Sequence, residues 1–342
     1  MYMLKFVGDI CFTDNHFDVG FGVGSAIKNG KNPFAKMTKQ QSDIWIGNFE
    51  SVVSDVSIYS DYHKDCFRID PKYLNHCQFF DYFGVANNHV MEHGPDAYNQ
   101  MCDYLAGFSQ GVFGSDKQRS IEFEHQGHIV SIIGFCLRAE EGKHLPLYWS
   151  DPECEDIIIE CNKLKSDFKV VYIHWGVEFI DHPSVEQVKF AHWLIDIGYD
   201  LVIGVHPHIM QGYEVYKGKY IFYSLGNFVF NMSYEPTKYS CVVNVDVANN
   251  RVSYDYIKID KDYCPILISE QDVPERYRLE TLNRKIVKKC NIEEYIREAF
   301  IGLKMYRRSH HMAFIQNIHR YNFSIMKSIV IDFIKRRLKY EN

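Results

Sequence analysis

The stretch Gly204-Val205-His206-Pro207-His208-Ile209-Met210-Gln211, followed by Tyr220-Ile221-Phe222-Tyr223-Ser224-Leu225-Gly226-Asn227, decides how the rest of the chain is read. An apolar run at 201–203 feeds directly into two histidines separated by one proline. A second apolar run, 220–223, feeds into Ser224 and Asn227. The same arrangement recurs upstream: 4–7 leads into Gly8-Asp9, and 43–46 into Gly47-Asn48-Phe49-Glu50. Likewise 80–85 leads into Ala86-Asn87-Asn88-His89, and 170–173 into His174-Trp175-Gly176. Short strands that end in polar turns, with helix-period segments at 94–108 and 185–197, predict an α/β fold. In the second segment Val185, Val188, Ala191 and Ile195 share one face at helical spacing. Runs at 241–247 and 252–259 flank Ala248-Asn249-Asn250-Arg251, a hairpin signal.

Open α/β sheets bind ligands beyond the carboxyl ends of their strands. Asp9, Glu50, Asn88, His174, His206 and His208 are therefore expected to converge on one crevice. Their oxygen and nitrogen donors suit manganese, iron, zinc or magnesium rather than a thiolate-dominated site. Taken singly, each motif reads as turn chemistry: Gly-Asp after a strand is a common turn, and Asn87-Asn88 tolerates left-handed backbone. Their shared position at strand ends, in this order, is what points to a site.

The ordered blocks GD, GNFES, ANNHVMEHG, HWGVEF and GVHPHIMQGYEVYKGKYIFYSLGNFVF resemble the CapA-like (poly-gamma-glutamate capsule synthesis) proteins of the calcineurin-like metallophosphatase superfamily, over about residues 4–231. The resemblance implies a four-layer sandwich, two central β-sheets flanked by helices, holding two divalent ions. It implies Asp9 and His208 on one ion, Asn88, His174 and His206 on the other, and Glu50 shared. His89 takes the place of the substrate-facing general acid. Asn48, Asn87, Glu178, Ser224, Asn227 and Arg68 are expected around the ligands or the substrate, Glu178 as an orienter of a ligand histidine, while Arg68 reads as a surface ion pair or, alternatively, as an anion contact. Three departures stand out. Cys11 occupies the position where the wider superfamily has a histidine, Val205 replaces a histidine often found before His206, and Glu92 stands where the branch often has Asp.

The function implied is a metal-dependent hydrolase, a phosphoesterase using metal-activated water, linked to capsule or cell-surface polymer biosynthesis. A non-catalytic scaffold of a polymer-assembly complex and a metal-dependent amide hydrolase acting on a glutamate-containing polymer are the competing readings. The expected partner is a phosphorylated or anionic small-molecule or polymer substrate. A net charge of −6 across 342 residues gives no electrostatic footprint for nucleic acid.

Ten cysteines without a CxxC pair, no signal-peptide pattern before the first strand and no apolar run near about 20 residues lead to an expectation of free thiols and a cytoplasmic setting. The character changes near Cys264, giving a metallophosphatase domain at 1–264 and a helical extension at 265–342. From Lys304 onward the extension is basic (Lys304, Arg307, Arg308, Arg320, Lys327, Lys335, Arg336, Arg337, Lys339). This raises peripheral membrane contact beside the plainer reading of a helix packed on its own domain.

Overall fold

A computed structural model describes residues 2–138, 154–286 and 292–339; the side chains of 154 and 332–339 lie outside the described set, and with them those of Lys335, Arg336, Arg337 and Lys339. The strands are β1 Leu4–Ile10, β2 Ile44–Phe49, β3 Val52–Val53, β4 Arg68–Ile69, β5 Tyr82–Gly84, β6 Gly111–Phe113, β7 Ser120–His125 and β8 His128–Cys136. They continue as β9 Phe168–His174, β10 Leu201–Val205, β11 Tyr213–Tyr216, β12 Lys219–Phe222, β13 Asn227–Val229, β14 Tyr239–Asp246, β15 Arg251–Ile259 and β16 Pro265–Ile268. The helices are α1 Val23–Lys28, α2 Pro95–Phe108, α3 Cys154–Asn162, α4 Val185–Asp196, α5 Leu279–Ile286, α6 Ile292–Asn317 and α7 Phe323–Lys339.

Two sheets form the centre. One runs β16-β15-β14-β1-β2-β5-β6, with β13 also paired to β1, and the other runs β11-β12-β10-β9-β8-β7. Strand alternation assigns each side chain to a layer. Leu4 and Phe6 on β1 meet Val130, Val170 and Leu201 of the second sheet in the core between the sheets. Val7, on the opposite face of β1, and Ile10, brought to the same side by the register shift near Asp9, pack with Val23, Ile27, Met101 and Leu105 of α1 and α2. On the far side of the second sheet, Val171, Ile173 and Val202 pack with Ile158, Ala191 and Leu194 of α3 and α4. The result is the four-layer α/β sandwich that the resemblance implied.

The helices read at 94–108 and 185–197 form as α2 and α4. A capping box starts α4: the Ser184 hydroxyl accepts from the Gln187 N–H while the Gln187 side chain accepts from the Ser184 N–H. The hairpin forms with Val245 opposite Val252. The sheet continues past the boundary drawn at 264, because β16 pairs with β15 through Ile257 and Leu267. This strand has only four residues and begins with proline on a sheet edge, where a missing N–H costs no ladder bond, so no alternation announces it.

One close approach positions the site. A Cβ on Gly8 would fall 1.6 Å from the Gly226 carbonyl oxygen. Only glycine lets β1 and β13 come together there, and their pairing sets Asp9 opposite Asn227.

Beyond the sheets, α6 lies against the body. Its Tyr306 ring stacks on Phe179 at 4.1 Å, Ser309 Oγ donates to the Ser233 carbonyl at 2.7 Å, and Glu298 Oε2 lies 2.6 Å from His182 Nε2. At Gly302 the helix passes so near that an added Cβ would stand 2.6 Å from the Phe179 oxygen. No described helix is long and apolar enough to cross a membrane, and the eight described cysteines form no disulfide with one another.

Candidate metal centre

Five chain segments deliver the six donors. Asp9 lies near the end of β1, Glu50 follows β2, Asn88 follows β5, His174 ends β9, and His206 and His208 follow β10. None is more than 3% exposed. One donor atom from each of Glu50, His206 and His208 falls within 4.8 Å of the others, and the same holds for Asp9, Glu50 and His174. Glu50 belongs to both groups, which is the requirement for a bridging carboxylate. The donors interlock rather than separate, since His208 Nδ1 also lies 3.6 Å from Asp9 Oδ2 and the His174 and His206 rings are 4.5 Å apart. Asn88 and His174 do stay together, with Oδ1 2.7 Å from Nε2.

Neighbouring amides hold these groups. Asn48 Nδ2 donates to Asp9 Oδ1 at 2.8 Å and lies 3.3 Å from His174 Nδ1. Asn87 in turn donates to Asn48 Oδ1 at 3.2 Å and to the Phe49 carbonyl at 2.7 Å. Asn227 Oδ1 lies 3.0 Å from His208 Nδ1, so it accepts the Nδ1 proton and leaves Nε2 with its lone pair, 3.7 Å from Glu50 Oε1. Ser224, also expected near the site, shapes its own loop by donating to the Ile209 carbonyl at 2.8 Å.

The chemistry of these donors fits divalent cations. Both carboxylate oxygens of Glu50 and both ring nitrogens of His206 are buried without a hydrogen-bond partner. Leaving such groups unpaired costs roughly 1–3 kcal/mol each, and coordination would satisfy them. Burial, reinforced by the charges of Asp9 and Glu178, holds the Glu50 carboxyl well above its ordinary range. Burial raises Asp9 as well, against the opposing influence of His208. Burial also lowers the three imidazoles, which favours the neutral, ligating form. The backbone adds a further sign. His206 and His208 have φ of 99° and 59°, a region unfavourable for side-chain-bearing residues. The strain is held in place in part by the His206 N–H, which donates to Asp9 Oδ2 at 3.1 Å.

His89 stands at the rim, its Nε2 3.9 Å from Glu50 Oε1. Its Nδ1 lies 3.1 Å from Glu92 Oε2, and its ring is stacked on Phe67 at 4.0 Å, nearly parallel at 6°. Phe67 reaches this position with φ of 52°. Glu178 is half-buried and raises Glu50 through its charge; Asn48 and Asn227 make contacts that orient His174 and His208. Cys11 gives no thiolate, because burial pushes its thiol up to about 12 while Sγ lies 3.1 Å from Thr13 Oγ1.

Arg68 is engaged within the fold. Its Nε donates to the Lys64 carbonyl at 2.6 Å and its Nη1 to the Ser54 carbonyl at 2.7 Å, which uses the guanidinium to tie down a loop. The cation that acts on the centre is Arg138, which the sequence reading missed. It lies two residues beyond Cys136, the residue aligned with His174 in the parallel β8–β9 pair. After burial, its charge is one of the influences that lower His174, His206 and His208. Among the described residues no carboxylate or carbonyl accepts from its guanidinium. The available signal was position: Arg138 closes an apolar run, 129–136, just as the ligands close theirs.

Fold and donor set together define an α/β protein with a candidate two-metal centre at its strand ends. The chain belongs to the family described as "Bacterial capsule synthesis protein PGA_cap", whose family model matches residues 3–232. It is similar to the PGA biosynthesis protein CapA of Bacillus subtilis, 31% identical over 228 residues, covering 61% of this chain and 59% of that protein. It is also similar to the capsule biosynthesis protein CapA of Bacillus anthracis, 43% identical over 88 residues, 26% of this chain and 21% of the relative. The matched region thus spans less than two thirds of the length of these curated relatives. Similar solved structures include a phosphatase from Mycoplasma pneumoniae, with a TM-score of 0.47, 14% identity and coverage of 76% of this chain and 95% of that one. Another is the 5'-nucleotidase of Candida albicans, with a TM-score of 0.44, 12% identity and coverage of 90% and 58%.

Proposed function

We propose that this chain is a metal-dependent hydrolase, a phosphoesterase acting on an anionic substrate in the synthesis of a capsule or cell-surface polymer. The observation that carries the reading is Glu50: a fully buried carboxylate with two unpartnered oxygens, common to both donor groups. Two divalent ions bound there would supply charge neutralisation and an acidified water. The chain's own groups account for the rest. Asn48 and Asn227 keep Asp9, His174 and His208 in ligating orientation. His89, with Nδ1 held by Glu92, has Nε2 free to give a proton to the leaving oxygen. Arg138 supplies positive charge suited to the oxyanion. The role in polymer synthesis rests on the family.

The test is a panel of phosphomonoester, phosphodiester and amide substrates, run after loading with manganese, iron, zinc or magnesium. Metal-dependent phosphoester turnover that Glu50→Gln abolishes is the expected result. Turnover of amides alone would overturn the phosphoesterase assignment, and no turnover of any class would overturn the enzyme assignment.

A further inference from the structure

Helix α6 has two unlike faces. Tyr295, Gly302, Tyr306 and His310 point into the body, and the first three contact Gln187 and Phe179 of the metallophosphatase fold. The opposite face carries exposed apolar and basic side chains. At 3.6 residues per turn, Ile296, Phe300 and Arg307 follow one another along a stripe, with Arg297, Lys304, Arg308 and Ile315 beside it. Phe300 is 71% exposed and Ile315 61%. Eleven of the eighteen exposed large hydrophobic side chains among the described residues lie between Ile292 and Ile331. They account for most of the apolar surface of that kind, concentrated in one short part of the chain, where single scattered residues would need no explanation.

The charge on this face selects its occupant. From Ala299 to Ile331 the sequence contains no acidic residue but carries Lys304, Arg307, Arg308, Arg320 and Lys327, although the whole chain has a net charge of −6. Upstream on the helix, Glu298 is turned toward His182. Lys304, Arg307 and Arg308 form no ion pair among the described residues. Apolar side chains interleaved with uncompensated arginine and lysine suit the plane of an anionic lipid surface, where the rings and aliphatic chains enter the headgroup boundary and the cations meet lipid phosphates.

We infer that α6 docks the protein on anionic membranes through the Phe300–Arg307–Arg308 face. The helix would then lie between the lipid surface and the Phe179 loop, whose ring centroid is 6.1 Å from that of His208, and the candidate centre would be held next to the membrane. The inference is independent of whether that centre is catalytic.

The experiment is co-sedimentation of the full chain with vesicles of phosphatidylglycerol and phosphatidylcholine, beside vesicles of phosphatidylcholine alone. Binding to the anionic vesicles at low salt is expected, weakened by 0.5 M salt and absent from the neutral vesicles. The double variant Arg307→Glu/Arg308→Glu should bind on the order of tenfold or more weakly, and Phe300→Ser should also weaken binding, with melting temperatures near that of the parent protein showing that both remain folded. Failure of the parent protein to bind at low salt, or equal binding by parent and variants, would overturn the inference. So would a concentration-dependent dimer that Phe300→Ser dissociates, which would show a second copy to be the occupant. Hydrolytic activity plays no part in these readouts, so the proposed function stands or falls separately.

Discussion

Asn227 Oδ1 accepts the Nδ1 proton of His208 at 3.0 Å, and the same amide donates through Nδ2 to the Thr237 carbonyl at 3.3 Å. The second contact fixes which end of the amide faces the histidine, and so fixes the tautomer that leaves Nε2 open toward Glu50. Partners of this kind set the orientation of a metal-ligating histidine and typically contribute about 10–100-fold to affinity. Asn227→Ala should weaken metal binding by that amount, as measured by competition with a fluorescent chelator. Asn227→Asp, which keeps an acceptor, should retain most of the affinity. Equal affinity in all three proteins would remove Asn227 from the site.

Glu50 gives a prediction in which stability and function move in opposite directions. Its carboxyl is held well above the ordinary range by burial. A carboxyl with a raised pKa in the fold binds more protons than it does in the unfolded chain. Metal-free protein is therefore expected to lose stability as pH rises from the unfolded value toward the raised folded one. Glu50→Gln removes this charge, so in the presence of chelator its melting temperature at neutral pH should be higher than that of the parent protein. Upon addition of manganese only the parent protein should gain stability. Because the metal competes with these protons, loading of the parent protein should also weaken as pH falls and release protons to the buffer, which calorimetry in two buffers would show.

His89 reaches the centre without belonging to either donor group. Its replacement by Ala should lower turnover by about 10²–10⁴-fold and leave metal content unchanged. The loss should be greatest for substrates with poor leaving groups, since these depend most on a donated proton. A uniform loss accompanied by depleted metal would instead make His89 a ligand.

Arg138→Ala should raise KM for anionic substrates and weaken inhibition by inorganic phosphate, with little change in bound metal. Arg138→Lys should recover only part of the loss, because an ammonium lacks the planar fork that a phosphoryl group accepts. Arg68→Ala should leave these kinetic constants alone and lower the melting temperature, since its bonds go to the Lys64 and Ser54 carbonyls.

The candidate ligands were legible because each follows on an apolar run, and strand ends in one α/β sheet system share an edge. Arg138 ends such a run as well, but a lone arginine carries no motif, and the alignment of Cys136 with His174 exists only once β8 and β9 have paired. For Arg68 the sequence left an ion pair and an anion contact open, and only the fold shows that its Nε and Nη1 reach the Lys64 and Ser54 carbonyls. The left-handed backbone at His206 and His208 is likewise announced by nothing in His-Pro-His. Strand β16 escaped because four residues beginning with proline are too few to show a period. A helix packed on its own domain was among the readings of the extension, but its place of docking, beside Phe179 at Gly302, shows only in the fold.

The central claim is a dinuclear centre bridged by Glu50. Anomalous diffraction from crystals soaked in manganese tests it most directly. Two peaks are expected, both in contact with Glu50, with Asp9, Asn88, His174, His206 and His208 completing the coordination. A single peak that does not touch Glu50, or manganese bound only elsewhere, would contradict the account.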